Sequence, residues 1–165
     1  MKKQLLLMRH AKSGWDDPAM ADFDRTLAER GRKDAPEMGK RLLAAGFVPQ
    51  LIVSSTAKRA RKTADLVAEQ IQYDPKKIEF ESDIYEADIS DLIHVIRNLG
   101  DEHTRVMLVG HNPAFTGLVG YLSDKLIENM PTSGMALLSF SIESWKQVNK
   151  QTATLKWFDF PKNHE

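Results

Sequence analysis

The run Leu5-Leu6-Leu7-Met8, followed at once by Arg9-His10-Ala11-Lys12-Ser13, constrains the fold more than any other stretch of this chain. Apolar residues in unbroken succession, with no polar alternation, mark a strand buried on both faces. Such strands lie inside parallel sheets with helices on either side, and ligands collect beyond their carboxyl ends. Arg9 and His10 fall at that exit. Taken alone the pair proves little, because a strand has to end and polar residues commonly end it. Repetition elsewhere in the chain gives it weight.

Two further apolar runs end in the same way. Leu51-Ile52-Val53 leads to Ser54-Ser55, expected to cap a helix over about 56–71 with Ala60, Ala64, Val67 and Ile71 on one face. Its first turn carries Arg59, which can reach the same sheet edge as Arg9, whereas Lys58, Arg61 and Lys62 read as a solvated face. Val106-Met107-Leu108-Val109 leads to Gly110-His111-Asn112-Pro113, where Asn112 is expected to cap a helix that Pro113 begins.

The remaining segments fit between these runs. Residues 14–26 read as a long loop. Thr26 and Glu29 have capping-box spacing for a helix bearing Ala35, Met38, Leu42 and Ala45 and ending at Gly46, with Pro36 either kinking it or deferring its start. Ile78-Glu79-Phe80 reads as a short strand, and Tyr85-Glu86-Ala87-Asp88 leads into a helix of Ile89, Leu92, Ile93 and Ile96 that Gly100 ends. Two later strands, 136–140 and 153–157, flank a short helix or turn around Trp145. The expectation is one domain over residues 1–165, a three-layer α/β/α sandwich with a mostly parallel central sheet.

Composition narrows the chemistry. With no cysteine there is no disulfide, no thiolate metal site and no cysteine nucleophile. The 23 basic residues balance 23 acidic ones, so no net positive field draws nucleic acid or an anionic membrane. The opening Lys2-Lys3 imitates a signal peptide, but the apolar run after it is too short, and nothing approaches the roughly 20 residues that cross a bilayer. A cytoplasmic location and a monomer are expected.

Arg9-His10, Arg59 and His111 thus converge from three strand exits. Two arginines can clamp a tetrahedral dianion through paired charge-assisted hydrogen bonds, and the nearby helix starts add positive ends. Beside a phosphoryl group, a neutral imidazole is a competent nucleophile, and a second histidine can hydrogen-bond the equatorial oxygens. The electrostatic work done elsewhere by Mg²⁺ falls here to cations of the chain, so neither metal nor cofactor is expected. His94, His103 and His164 are assigned no role.

Leu7-Met8-Arg9-His10-Ala11-Lys12-Ser13, Asp24-Arg25-Thr26-Leu27 with Gly31, Ser54-Ser55-Thr56-Ala57-Lys58-Arg59-Ala60 with Thr63-Ala64, Tyr85-Glu86-Ala87 and Val109-Gly110-His111-Asn112-Pro113 together resemble the histidine phosphatase superfamily. The short chain and the Arg-His-Ala-Lys-Ser form are similar to its SixA-type phosphohistidine phosphatases. The resemblance implies that His10 is phosphorylated and then hydrolysed, with Arg9, Arg59 and His111 forming the phosphate pocket. Glu86 falls near where larger relatives place a proton donor, though a solvated carboxylate at a helix start reads equally well there. Lys12 and Ser13 follow the nucleophile and could border the phosphate. The implied partner is a phosphohistidine protein. A small phosphate ester, or a module that binds phosphate without turning it over, are the alternatives.

One rival is written in the sequence itself. Asp22-Phe23-Asp24-Arg25-Thr26 matches the Asp-x-Asp-x-Thr pattern of haloacid-dehalogenase-like phosphatases, which use an aspartate nucleophile and Mg²⁺. That motif should follow a buried strand, and here polar and small residues precede it. Mutases of the histidine family carry extra segments for which this chain has little room.

Overall fold

The leucine run forms β1 (Lys2–Arg9), and its two faces go to different cores. Leu5 and Leu7 join one cluster, Leu6 and Met8 the other, and all four are fully buried. A side-chain period of two thus explains a continuous apolar run, because both faces of this strand are covered. Each such side chain contributes about 1.5–3 kcal/mol relative to exposure. The computed structural model describes residues 2–14 and 17–164, so Trp15 and Asp16 of the expected 14–26 loop, and the side chain of His164, lie outside the described residues.

In chain order the other elements are α1 (Glu29–Ala44), β2 (Leu51–Ser54), α2 (Lys58–Gln70), β3 (Glu79–Phe80), α3 (Ile89–Arg97), β4 (Arg105–Gly110), α4 (Ala114–Leu122), β5 (Met135–Ser141) and β6 (Ala153–Asp159). The six strands form one sheet in the order β3-β2-β4-β1-β5-β6. Every neighbouring pair from β3 to β1 is parallel, and β5 alone is reversed, pairing antiparallel with β1 and β6. Residues of α1 and α2 cover one face, and residues of α3 and α4, with Trp145, cover the other. The expected three-layer, mostly parallel architecture is the one observed. No helix among the described residues is long and apolar enough to cross a membrane.

Several expected boundaries move, each for a local reason. The box between Thr26 and Glu29 does not form: α1 begins after Ala28, which supplies no side-chain cap, while the carbonyl of Thr26 accepts from Gly14. Leu27 pairs with Ser13 in an isolated antiparallel bridge, which holds this segment extended up to the helix. The helix runs on through Pro36 and stops at a left-handed Gly46, φ 79°. Ser55 does not cap α2. Its Oγ accepts from Ala57 N–H two residues on, and Ala57 precedes the helix. Pro113 takes the position before α4 instead of its first turn, and Asn112 reaches over it to accept from Thr116 N–H and Oγ1–H. The helix after Asp88 ends at Arg97, before Gly100, and is opened by a capping box between Asp88 and Asp91.

Candidate active site

The carboxyl ends of β2, β4 and β1 lie side by side, in register Ser54 with Val109 and Arg9 with Gly110. Three separated stretches of sequence are brought to one edge by that pairing. Because β5 runs opposite to β1, its start lies there too, with Met135 beside Met8 and the Pro131–Gly134 loop crossing the exit. Ser133 N–H donates to the carbonyls of Arg9 and His10, and Gly134 accepts from Arg9 N–H.

His10 lies on the floor of the resulting hollow, only 7% exposed. Its Nδ1 donates to the Ala11 carbonyl at 2.8 Å, a group that can only accept, so the ring proton sits on Nδ1 and the Nε2 lone pair is an acceptor. Arg59 Nε faces that lone pair at 3.4 Å. The Ala11 peptide is itself anchored: its N–H donates at 2.9 Å to Thr63 Oγ1, which donates at 2.7 Å to the Arg59 carbonyl. Gly31 explains the close approach of α1 to this loop, because a Cβ there would stand 2.2 Å from the Lys12 carbonyl oxygen.

The His111 ring lies 5.2 Å from that of His10, centroid to centroid. Its Nε2 is 2.7 Å from Ser55 Oγ. Ser55 Oγ already accepts from Ala57 N–H, and its own proton has Nε2 to go to. That assignment places the proton of neutral His111 on Nδ1, a donor. Burial pushes the pKa of His10 down to about 3, with His111, Arg59 and Arg9 adding to the fall and the Ala11 hydrogen bond opposing it. Burial likewise brings His111 down to about 4, helped by Arg59 and Arg9 and opposed by Asp22. Both imidazoles are neutral at pH 7, the state in which an imidazole can act as a nucleophile.

Arg9 donates from Nη1 to the Met130 carbonyl at 3.0 Å, and Arg59 is 6% exposed. Among the described residues, the buried side-chain polar atoms left without a partner are Arg9 Nε, His111 Nδ1 and Ser133 Oγ. Interiors rarely leave such atoms unpaired, at a cost of about 1–3 kcal/mol each. All belong to residues at the same sheet edge, and each can donate to an oxyanion.

The other sequence-level candidates sit differently. Ser13 Oγ accepts a short hydrogen bond from Arg25 Nη2. Lys12 is exposed, and its carbonyl holds Ala28 N–H. Glu86 is exposed, in left-handed backbone at φ 58°, next to Tyr85. The Asp-x-Asp-x-Thr motif begins on an exposed 3-10 turn, Asp22–Asp24, and no strand leads directly into it among the described residues. A separate cavity of about 500 Å³ behind that turn is lined by Phe23, Leu27, Arg32, Lys58 and Arg61, among others, and by no histidine.

Sequence reading missed Asp22, Tyr85, Ser55, Thr63 and Ser133 as parts of this edge. The Asp22 carboxylate accepts from Tyr85 Oη at 2.7 Å and from Arg59 Nη2 at 3.1 Å, and the Tyr85 ring stands edge-on to His111 at 5.6 Å.

The family model described as histidine phosphatase superfamily (branch 1) matches residues 5–95, more than half of the chain. The chain belongs to the histidine phosphatase superfamily. An uncharacterised protein of Mycobacterium tuberculosis is 33% identical over 165 residues, covering 94% of this chain and 100% of its own. The protein histidine phosphatase SixA complexed with tungstate superposes with a TM-score of 0.84 over 98% of this chain and 99% of its own, at 21% identity. A SixA-type protein from Agrobacterium tumefaciens gives a TM-score of 0.81 at 30% identity, covering 96% and 98%. These likenesses place the chain in the SixA-type branch of the histidine phosphatases and support phosphatase chemistry on a phosphorylated substrate.

Proposed function

We propose that the protein is a cytoplasmic, single-domain phosphohistidine phosphatase in which His10 Nε2 takes the phosphoryl group from a phosphorylated protein and passes it to water. The observation that carries this reading is the set of unpartnered buried donors, Arg9 Nε, His111 Nδ1 and Ser133 Oγ, on residues at the strand exit of His10, whose deprotonated Nε2 is held by Arg59 Nε alone among the described residues.

A phosphoryl group entering this hollow meets Arg9 and Arg59, which balance its charge, and His111 Nδ1–H, which donates to an equatorial oxygen. As Nε2 forms its bond to phosphorus, the bond from phosphorus to the departing atom breaks and its electron pair leaves with that atom; the His10 imidazole becomes cationic, and the Ala11 carbonyl on Nδ1–H steadies that charge. Water then attacks the phosphoenzyme from the open side, and Nε2 recovers its electron pair. Glu86, exposed beside Tyr85, is at most a donor to a leaving group at the mouth.

The test compares turnover of a phosphohistidine protein with that of a panel of small phosphate esters, using the native chain and His10→Ala. The expected outcome is an acid-labile phosphoenzyme that His10→Ala abolishes, with the phosphohistidine protein turned over fastest. Faster ester turnover would replace the protein substrate with a small molecule. Phosphate binding without any phosphoenzyme would make the hollow a recognition site, and loss of turnover in a chelator would revive the aspartate mechanism.

A further inference from the structure

Asp22 lies on an exposed turn, yet its carboxylate is held by three donors: Tyr85 Oη at 2.7 Å, Arg25 Nη1 at 3.1 Å and Arg59 Nη2 at 3.1 Å. Arg59 also donates from Nη1 to the Asp22 backbone carbonyl at 2.7 Å while turning Nε toward His10. One guanidinium therefore has the nucleophile on one edge and a carboxylate on another. Depth separates the two, since His10 is 7% exposed and the Asp22 side chain 45% exposed. In-line displacement at phosphorus puts the leaving group opposite the attacking nitrogen. With His10 on the floor, the leaving group points outward, to the rim where Asp22 and Tyr85 stand.

We propose that Asp22 is a specificity-determining residue, whose carboxylate accepts a hydrogen bond from the distal N–H of a protonated, N-phosphorylated imidazole and so favours phosphoramidates over phosphate esters. The proposal rests on the phosphatase reading above and deepens it. In the step concerned, the His10 Nε2 lone pair forms the new N–P bond while the old P–N bond breaks and its electrons return to the leaving nitrogen. The leaving ring keeps its distal proton throughout and departs as neutral imidazole, so no acid is needed. A carboxylate at that N–H favours the protonated, activated form of the substrate.

An ester differs at this point. Its departing oxygen carries no proton to offer a carboxylate, and an alkoxide needs one delivered. Although burial opposes it, the hydrogen bonds from Tyr85 and Arg25 and the charge of Arg59 hold the Asp22 pKa at about 2. The group is therefore ionised at neutral pH and is an acceptor only.

The experiment measures kcat/KM for a phosphohistidine peptide and for p-nitrophenyl phosphate, in the native chain and in Asp22→Asn and Asp22→Glu. Asp22→Asn is expected to lower the ratio of the two values by about 10- to 100-fold, the range for one charge-assisted hydrogen bond. Asp22→Glu is expected to recover part of the ratio. An unchanged ratio, whether both values fall together or neither moves, overturns the proposal and leaves Asp22 as a support for Arg59. If the native chain forms no phosphoenzyme with either substrate, the phosphatase reading itself falls and takes this one with it. A phosphoenzyme with an unchanged ratio sinks the Asp22 role alone.

Discussion

Thr63→Val isolates the contribution of a single hydroxyl behind His10, the proposed nucleophile. Thr63 is fully buried, and valine has nearly its shape, so packing is kept while Oγ1 is lost. The Ala11 N–H, which gives its hydrogen bond to Oγ1 at 2.9 Å, is then left without an acceptor where water does not reach. An unpaired buried donor costs about 1–3 kcal/mol. For a chain of this size each kcal/mol moves Tm by roughly 2–4 °C, so the variant should melt about 2–12 °C lower. A second effect is expected on the chemistry. The same residue presents the Ala11 carbonyl, in the next peptide unit, that fixes the His10 tautomer, and a residue released at its N–H no longer holds that carbonyl in place. Misplacement by about 1 Å costs up to about 100-fold in rate, so a fall of at least about 10-fold in phosphoenzyme formation is expected. Thermal melting and rapid-quench trapping of the phosphoenzyme read the two effects separately. Thr63→Ser, which keeps the hydroxyl, should restore both. A Thr63→Val protein that melts lower but is phosphorylated at the native rate would refute the link from Thr63 through Ala11 to His10.

Gly31→Ala places a Cβ 2.2 Å from the Lys12 carbonyl oxygen and 3.0 Å from Lys12 N, both backbone atoms that cannot swing aside. A destabilisation of about 1–3 kcal/mol and slower phosphorylation are expected, and native melting with native burst kinetics would contradict the packing given for α1. Stability should also depend on pH through the two histidines, held at about 3 and about 4 in the fold against an ordinary value near 6.5. Between those values the unfolded chain binds protons that the folded chain refuses. Their contribution is therefore complete above about pH 6.5 and is lost as pH falls through the window, by up to about 1.4 kcal/mol per pH unit for each ring. Urea denaturation from about pH 7 to pH 4 should show that slope, and His111→Gln should flatten it. An equal slope in the variant would mean that other groups govern the acid limb.

The layered fold was legible because strands buried on both faces declare themselves as uninterrupted apolar runs. Leu5-Leu6-Leu7-Met8 and Val106-Met107-Leu108-Val109 lie adjacent in the sheet, and each is followed within two residues by a histidine. Helix starts were less legible. Thr26, Ser55 and Asn112 all have cap chemistry, but the Thr26 carbonyl goes to Gly14, Ser55 Oγ goes to a turn that ends before α2, and Asn112 Oδ1 reaches α4 only past Pro113, at Thr116 N–H, outcomes decided by tertiary contacts rather than by spacing along the chain.

What the sequence withheld was the rim. His10 and His111 each follow a strand end directly and Arg59 lies in the first turn of the helix after β2, so the sheet largely determines where they arrive. Asp22 reaches Arg59 across 37 residues and is reached by Tyr85 across 63, through a loop and a turn that no periodicity governs. Its only sequence signal, the Asp-x-Asp-x-Thr spacing, points to a different chemistry. Ser133 is hidden in the same way, in a loop at an edge defined by the reversal of β5. The groups on the floor are set by strands and are therefore readable in one dimension. Those proposed to face the leaving group ride on loops, where the substrate preference of a shared phosphoryl site can change without disturbing the sheet.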